Sequence, residues 1–336
     1  MAILSTGRVT LLDVAKMPHA KDVADVINLL VQYNPILMDA PALECNDGTK
    51  HKTTMLTGLP SVIWGALYQG VQASKASRQQ VEDTTGFMES ASEVDTRMVD
   101  FIEDAKEKAS IMLQEADPHL EALAQEASSA IFYHDSRIDP KKPMGFAPRF
   151  SDTSAQNGSQ IVLGGGAGAD NTSMWMITWD RSTNHLIYPK GSAGGIERKT
   201  RMDIPTQDGD GNTFFVHRED FKQHLGISNR DWRYVCRGAN IDVSDLSEDA
   251  STGADIISVL TQMYYKHEGR RAKKGSTYVY VNPTIMEYLD YQARNVPTNL
   301  QLQFSETGVN ASEVLKYRGM GIRECDALLN SESVVS

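Results

Sequence analysis

The sequence predicts an α+β fold, and three observations carry that expectation. Helical spacing dominates from about residue 98 to 134 and returns after residue 254, β-patterned runs fill residues 161 to about 243, and a further strand-like pair flanks an uncharged stretch from Thr53 to Ser74. At ~150 residues per domain, 336 residues correspond to about two domains, enough to bury a core without staples. With 40% hydrophobic and 23% charged residues, collagen-like, coiled-coil and low-complexity classes are excluded.

The elements follow in order. Val23, Val26, Ile27 and Leu30 recur at helical spacing, with Pro18 before them and Pro35 and Pro41 after, which reads as one short helix in an otherwise extended stretch. From His51 the pattern changes. HKTTMLT is rich in β-branched residues, GLPSVIWGALYQGVQAS is interrupted by glycine, and KASRQQVEDTTGFM returns to strand-like polarity, so a long hairpin with an apolar tip is expected. The tip gathers Leu59, Val62, Ile63, Trp64, Leu67 and Tyr68, and contiguous apolar patches of this kind mark interaction surfaces. The alternative is that they fold back into their own core. The same uncharged stretch holds Gly58, Pro60, Gly65 and Gly70 and is too polar to span a membrane.

Met98, Ile102, Ala105, Ala109 and Met112 share a helical face, as do Leu120, Leu123, Ala127 and Ile131. Pro118 predicts a kink or a fresh start between the two runs, where Asp117 can serve as N-cap, followed by a helix to about His134 that is ~25 Å long. Pro140, Pro143, Gly145 and Pro148 end it. Strand patterns then recur at SMWMITWD, HLIYPKG and WRYVCR. Ile256, Leu260, Met263 and His267 predict a helix over 254–267; YVYV at 278–281 reads as a buried strand, and Asn282 with Pro283 starts a helix carrying Ile285, Leu289 and Gln292. Leu300, Leu302 and Phe304 alternate, and a last strand is expected through YRGMGIREC.

Charge is distributed unevenly. The net charge is −11, which argues against a general nucleic-acid-binding surface, and the segment Gln80 to Glu126 alone has 13 acidic residues against Arg97, Lys106 and Lys108. Nearly all the imbalance sits there.

Chemistry-bearing motifs are weak. Gly164, Gly166 and Ala169 fit the dinucleotide fingerprint, but DNTSMWMITWD follows where a helix is needed, so a mobile loop is expected. Asp208, Asp210, Asn212 and Glu219 fall at calcium-loop positions, yet Thr213 stands where the sharp turn needs glycine and Pro205 blocks an entering helix; Asp-Gly turns of a β-hairpin fit better. The eight histidines form no metal spacing, Cys45, Cys236 and Cys325 are too scattered for a disulfide framework or a zinc site, and GSAGG at 191–195 lacks the nucleophile-elbow frame. Catalytic, cofactor and metal residues are therefore assigned to none. Cysteine usage suits a reducing compartment. The first residues lack the regions of a secretory signal, so the sequons at Asn171 and Asn310 read as chance. Arg270, Arg271, Lys273 and Lys274 lack interleaved aromatics and read as an exposed loop or a source of ion pairs between subunits.

Several runs together resemble the major capsid proteins of tailed bacteriophages, in particular the family typical of some short-tailed phages. They are TGLPSVIWGALYQGVQASK at 57–75, GFAPRFSDTSA at 145–155, DNTSMWMITWDRSTNHLIYPKGSAGG at 170–195, DWRYVCRGANIDVSDL at 231–246 and YVYVNPTIMEYLD at 278–290. The resemblance implies the Hong Kong 97-like capsid fold, with an N-terminal arm (1–45), an extended loop (46–92), a peripheral domain with a long spine helix (93–150), an axial domain with a β-rich elaboration (151–275) and remaining axial and peripheral strands and helix (276–336). It also implies a non-enzymatic shell protein, without cofactors, that assembles as hexamers and pentamers around double-stranded DNA. Further implied partners are a portal protein at one vertex and scaffold and cement proteins, with no specific DNA binding and no membrane. The location implied is the virion capsid, assembled in the bacterial host cytoplasm. In that plan Leu59 to Tyr68 meet a neighbouring subunit, and Asp100, Glu103 and Glu107 face the lumen. Some relatives of the fold join lysine to asparagine between subunits; Lys75 and Asn282 are the residues such a link would use here. An encapsulin-like cellular compartment shares the fold, and an enzyme or calcium-dependent binding module is the remaining alternative.

Overall fold

A computed structural model describes residues 32–100, 105–192, 194–249, 253–295, 302–304 and 315–336. The helix expected at 22–31 and Leu300 lie outside the described residues. Ile36–Asp39 forms a one-turn helix (α1) between Pro35 and Pro41, where extended chain was expected, because Ile36 inserts into the core. Next come β1 (Ala42–Glu44), β2 (Lys50–Gly58), β3 (Ser77–Asp95), α2 (Thr96–Asp100), α3 (Ala105–Tyr133) and α4 (Phe146–Arg149). Six strands follow: β4 (Ile161–Leu163), β5 (Asn171–Trp179), β6 (Asn184–Tyr188), β7 (Ile196–Gln207), β8 (Thr213–Asn229) and β9 (Val235–Asp242). The remainder is α5 (Ile256–Lys266), β10 (Ser276–Val281), α6 (Pro283–Asn295), β11 (Leu302–Phe304), β12 (Leu315–Tyr317) and β13 (Met320–Glu324).

A central sheet runs β12-β13-β10-β5-β9-β4, and β5 is its axis, antiparallel to β10 on one side and β9 on the other. Every residue of β5 is buried. Its alternation sorts side chains between two layers: Trp175, Ile177 and Trp179 pack with Ile131 and Phe132 of α3, whereas Met174 and Met176 pack with Leu260 and Met263 of α5 and Ile285 of α6. Helices on both faces explain why the strand reads as a continuous apolar run. A second ladder continues through β6 to β8, where β3 and β7 flank the same long strand.

The two strands of the uncharged stretch pair antiparallel from Lys50↔Thr84 to Leu56↔Arg78, as expected for a hairpin. Beyond Thr84, β3 leaves β2 and pairs with β8 from Thr85↔Gly226 to Asp95↔Val216. One strand thus belongs to both hairpin and body.

Three expectations are corrected. Of the two readings at Pro118 the fresh start is not made: α3 runs through it as one helix, since Ala116 and Leu123 on either side pack against Phe221 while Asp117 and Pro118 face solvent, where a missing backbone donor is tolerated. The last strand is two: Arg318 and Gly319 take φ +48° and +82° and turn β12 back onto β13. The glycine loop is not free either, because the backbone N–H groups of Gly164 and Gly166 donate to the carbonyls of Ala239 and Asn240 at 2.7 and 2.8 Å. The Asp208 turn, by contrast, is the expected hairpin end. Its carboxylate accepts from the Asp210 and Asn212 N–H groups, and Glu219 lies down β8, paired with Arg198 at 2.7 Å.

Candidate assembly surfaces

Residues 59–76 at the hairpin tip have no regular strand or helix, and local bonds close the loop: Gln69 N–H donates to the Ala66 carbonyl and Ser74 Oγ to that of Ser61. Leu59, Val62, Ile63, Trp64, Leu67 and Tyr68 are all exposed, Trp64 at 98%. The fold-back alternative does not hold. No charge is present from Thr53 to Ser74, so the surface has nothing to repel apolar contact, and burying it removes area at ~25 cal/mol per Å².

The hairpin is rooted by polar side chains that sequence reasoning missed. Asp83 of β3 is buried and pairs with Arg149 of α4 at 2.8 Å, while Arg149 donates to the carbonyls of Met144 and Ile227. His51 of β2 meets the buried His185 of β6 edge-on, with ring centroids 5.3 Å apart. Burial above all, then the neighbouring His51 and Arg230, hold His185 down to about 4, so both partners of this contact are neutral near pH 7. A Cβ on Gly86 would stand 2.6 Å from the Lys141 carbonyl oxygen. Glycine inside a strand pattern was the available sign of this close approach. Between Thr53–Leu59 and residues 229–233 lies a groove of about 850 Å³, lined also by Gln156 and Asn157.

The acidic segment is less uniform than its count. Glu89 pairs with Lys222, Glu93 with Arg218 and Asp83 with Arg149, all cations from outside the segment. Asp100 is exposed at the end of α2; Glu103 lies outside the described residues, as does the side chain of Glu107 in α3. Asn282 is buried, accepts from the Thr284 N–H at 3.0 Å and donates to the Leu328 carbonyl, so it serves as the cap of α6 rather than as a surface amide open to Lys75. Burial raises the thiols of Cys236 and Cys325 to about 12 and that of Cys45 to about 11. No group of three or more His, Cys, Asp or Glu is arranged to hold a metal among the described residues.

Comparison with known proteins agrees with this architecture. Residues 18–336 match the family described as major capsid protein GP7. A chain of the cryo-EM structure of bacteriophage Epsilon15 is 31% identical, with 100% of this chain and 99% of that chain covered and a TM-score of 0.76. The capsid of bacteriophage JBD30 is similar in fold at 11% identity, covering 95% of this chain and 99% of that chain with a TM-score of 0.52. The SrpI encapsulin complex from Synechococcus elongatus is a remote likeness, at 9% identity, 69% and 96% coverage and a TM-score of 0.43; the family match and the Epsilon15 likeness favour a phage shell over a cellular compartment. No curated protein matches the chain.

Proposed function

The chain belongs to the family of major capsid proteins GP7 and is a structural protein of a podovirus-type phage shell with the Hong Kong 97-like fold, and we propose that it closes that shell as hexamers and pentamers through the tip of its hairpin. The observation that carries this reading is the exposed, uncharged tip on a strand that continues into the body ladder. Leu59, Val62, Ile63, Trp64, Leu67 and Tyr68 bury against the adjacent subunit. Residues 1–45 act as the arm, 46–92 as the extended loop, 93–150 as the peripheral domain with α3 as spine, 151–275 as the axial domain with its β-rich elaboration, and 276–336 as the remaining axial and peripheral strands and helix. The double-stranded genome is enclosed without specific binding, a portal protein occupies one vertex, scaffold and cement proteins assist, and assembly takes place in the host cytoplasm.

Asp100, Glu103 and Glu107 line the lumen in this reading. Phosphates held by lysines would stick to the wall, whereas carboxylates repel DNA within about one Debye length, ~8 Å at physiological salt. The test is electron microscopy and sedimentation of the protein expressed with its neighbouring structural genes. Closed shells are expected. A dispersed monomer at high concentration overturns the reading.

A further inference from the structure

Helix α5 separates two patches of opposite charge. Its 11 residues span ~16 Å. Before it, residues 242–255 carry Asp242, Asp245, Glu248, Asp249 and Asp255 with no lysine or arginine, and Asp245, Glu248 and Asp249 are exposed. After it, a cleft of about 500 Å³ opens between residues 269–278 and the β12–β13 turn. Arg270, Lys273, Lys316, Arg318 and Arg323 line this cleft, and no carboxylate does.

Only Arg323 is neutralised, by Asp39 at 3.0 Å; no carboxylate of the described residues pairs with Arg270, Lys273, Lys316 or Arg318. The guanidinium of Arg318 lies 4.7 Å from the centre of the Tyr264 ring and 5.3 Å from that of Tyr317, and Arg270 lies 5.1 Å from that of Tyr265. Aromatic faces hold these cations in place at little entropic cost. Arg270 Nε is buried without a hydrogen-bond partner. Assembling like charges this closely is unfavourable until a counter-charge arrives, and the chain as a whole is acidic.

We infer that the basic cleft receives the acidic loop around Asp245 and Glu248 of a neighbouring copy of this chain. This rests on the capsid reading and adds to it the polarity of the contact. Complementary patches at opposite ends of one element cannot satisfy each other within one subunit, but they meet head to tail between copies, and a head-to-tail contact repeated about an axis closes a ring. The hexamers and pentamers are such rings.

Charge reversal tests it. Lys273→Glu with Lys316→Glu, or Asp245→Lys with Glu248→Lys, should raise the critical concentration for assembly at least about tenfold at ~50 mM salt, because like charges then face each other. All four substitutions together should return it to within about threefold of wild type. Circular dichroism and melting of the unassembled variants should match wild type, since all four side chains lie away from the core. Mixed in equal amounts, the two double variants should complement around an even ring and give hexamers. Double variants that assemble like wild type overturn the inference and leave the capsid reading standing. A fourfold variant no better than the product of the two losses also overturns it, and shows that the cleft takes another anion. Wild-type protein that forms no shells under the same conditions overturns both.

Discussion

Trp64 and Trp175 mark two regions that use the same side chain in opposite ways. Trp64 stands at the hairpin tip at 98% exposure, while Trp175 lies on β5 at 0%, among Phe132, Phe146 and Phe150. Around Trp175 the polar groups are buried as well. Arg237 stacks on its ring at 5.0 Å and pairs with Glu332 at 2.7 Å, and Glu332 also accepts from Ser173 and from the Tyr133 hydroxyl. That region finds its packing and ion-pair partners within one chain, although the buried Trp175 Nε1–H has no acceptor. Among the described residues the tip has no partner for its apolar surface, the kind of patch that marks an interaction surface. What separates them is the owner of the second half of each contact: the same chain for β5 and, in the proposed reading, another subunit for the tip.

The largest expected effect breaks the self-sufficient region. Trp175→Ala, by opening a cavity, and Glu332→Ala, by stranding a buried Arg237, should each cost about 3–5 kcal/mol and be read in chemical denaturation of the unassembled protein. Either variant denaturing like wild type would show that the buried network contributes little.

Acid should act next, at the root that joins the two regions. An unfolded histidine titrates near 6.5 and His185 in the folded protein at about 4, so the unfolded chain binds the extra proton between those values. Stability from this residue is therefore full above pH ~6.5 and lost as pH falls towards 4, a loss on the order of 3 kcal/mol. Melting from pH 7 to 4.5 should show a smaller drop for His185→Phe than for wild type. Parallel curves would remove His185 from the acid response.

Trp64→Ser should leave the monomer untouched and weaken each subunit contact by roughly 2–3 kcal/mol, abolishing shells at concentrations where wild type assembles. Loss of monomer circular dichroism would instead place Trp64 in its own core and collapse the contrast with Trp175. The smallest structural effect is expected for lysine at Asp100, Glu103 and Glu107. Shells should form normally, while DNA ejection slows, most at low ionic strength. Unchanged ejection there would mean that these carboxylates only solvate the surface.

Local signals explain what was legible in the sequence. The β-branched run after His51, the absence of charge up to Ser74, the spacing of Ile256, Leu260 and Met263 and the Asn282-Pro283 start are features of neighbouring residues, and each element formed where expected. What escaped depends on partners far along the chain. Asp83 and Arg149, or Arg237 and Glu332, leave no periodicity, and the helix continues past Pro118 where Ala116 and Leu123 on either side of it pack against Phe221. The Arg318-Gly319 turn lacks the asparagine or aspartate that usually announces it. At the tip, exposure was legible because no charge interrupts the apolar run; the acidic face was less so, since its partners Lys222 and Arg218 come from a strand more than 100 residues away.

Residues 325–336 return along the body and insert Cys325, Leu328, Glu332 and Val335 into its interior, which has a consequence for timing. Cys325 N–H donates to the Val281 carbonyl, Glu332 N–H to that of Asn171, and Val335 exchanges two hydrogen bonds with the Asn240 side chain, so these three residues are buried against earlier strands. A ribosome delivers them after every strand they complete, at ~5–20 residues per second. Until they arrive, Arg237 lacks its carboxylate and the layer over Trp175 lacks Leu328 and Val335. The tip, by contrast, is synthesised early and needs nothing downstream to expose its tryptophan. Nascent chains held on one message therefore present a sticky surface while their bodies are still unfinished, and the slow, long-range closure at residues 325–336 sets the interval during which chaperones have the most to shield.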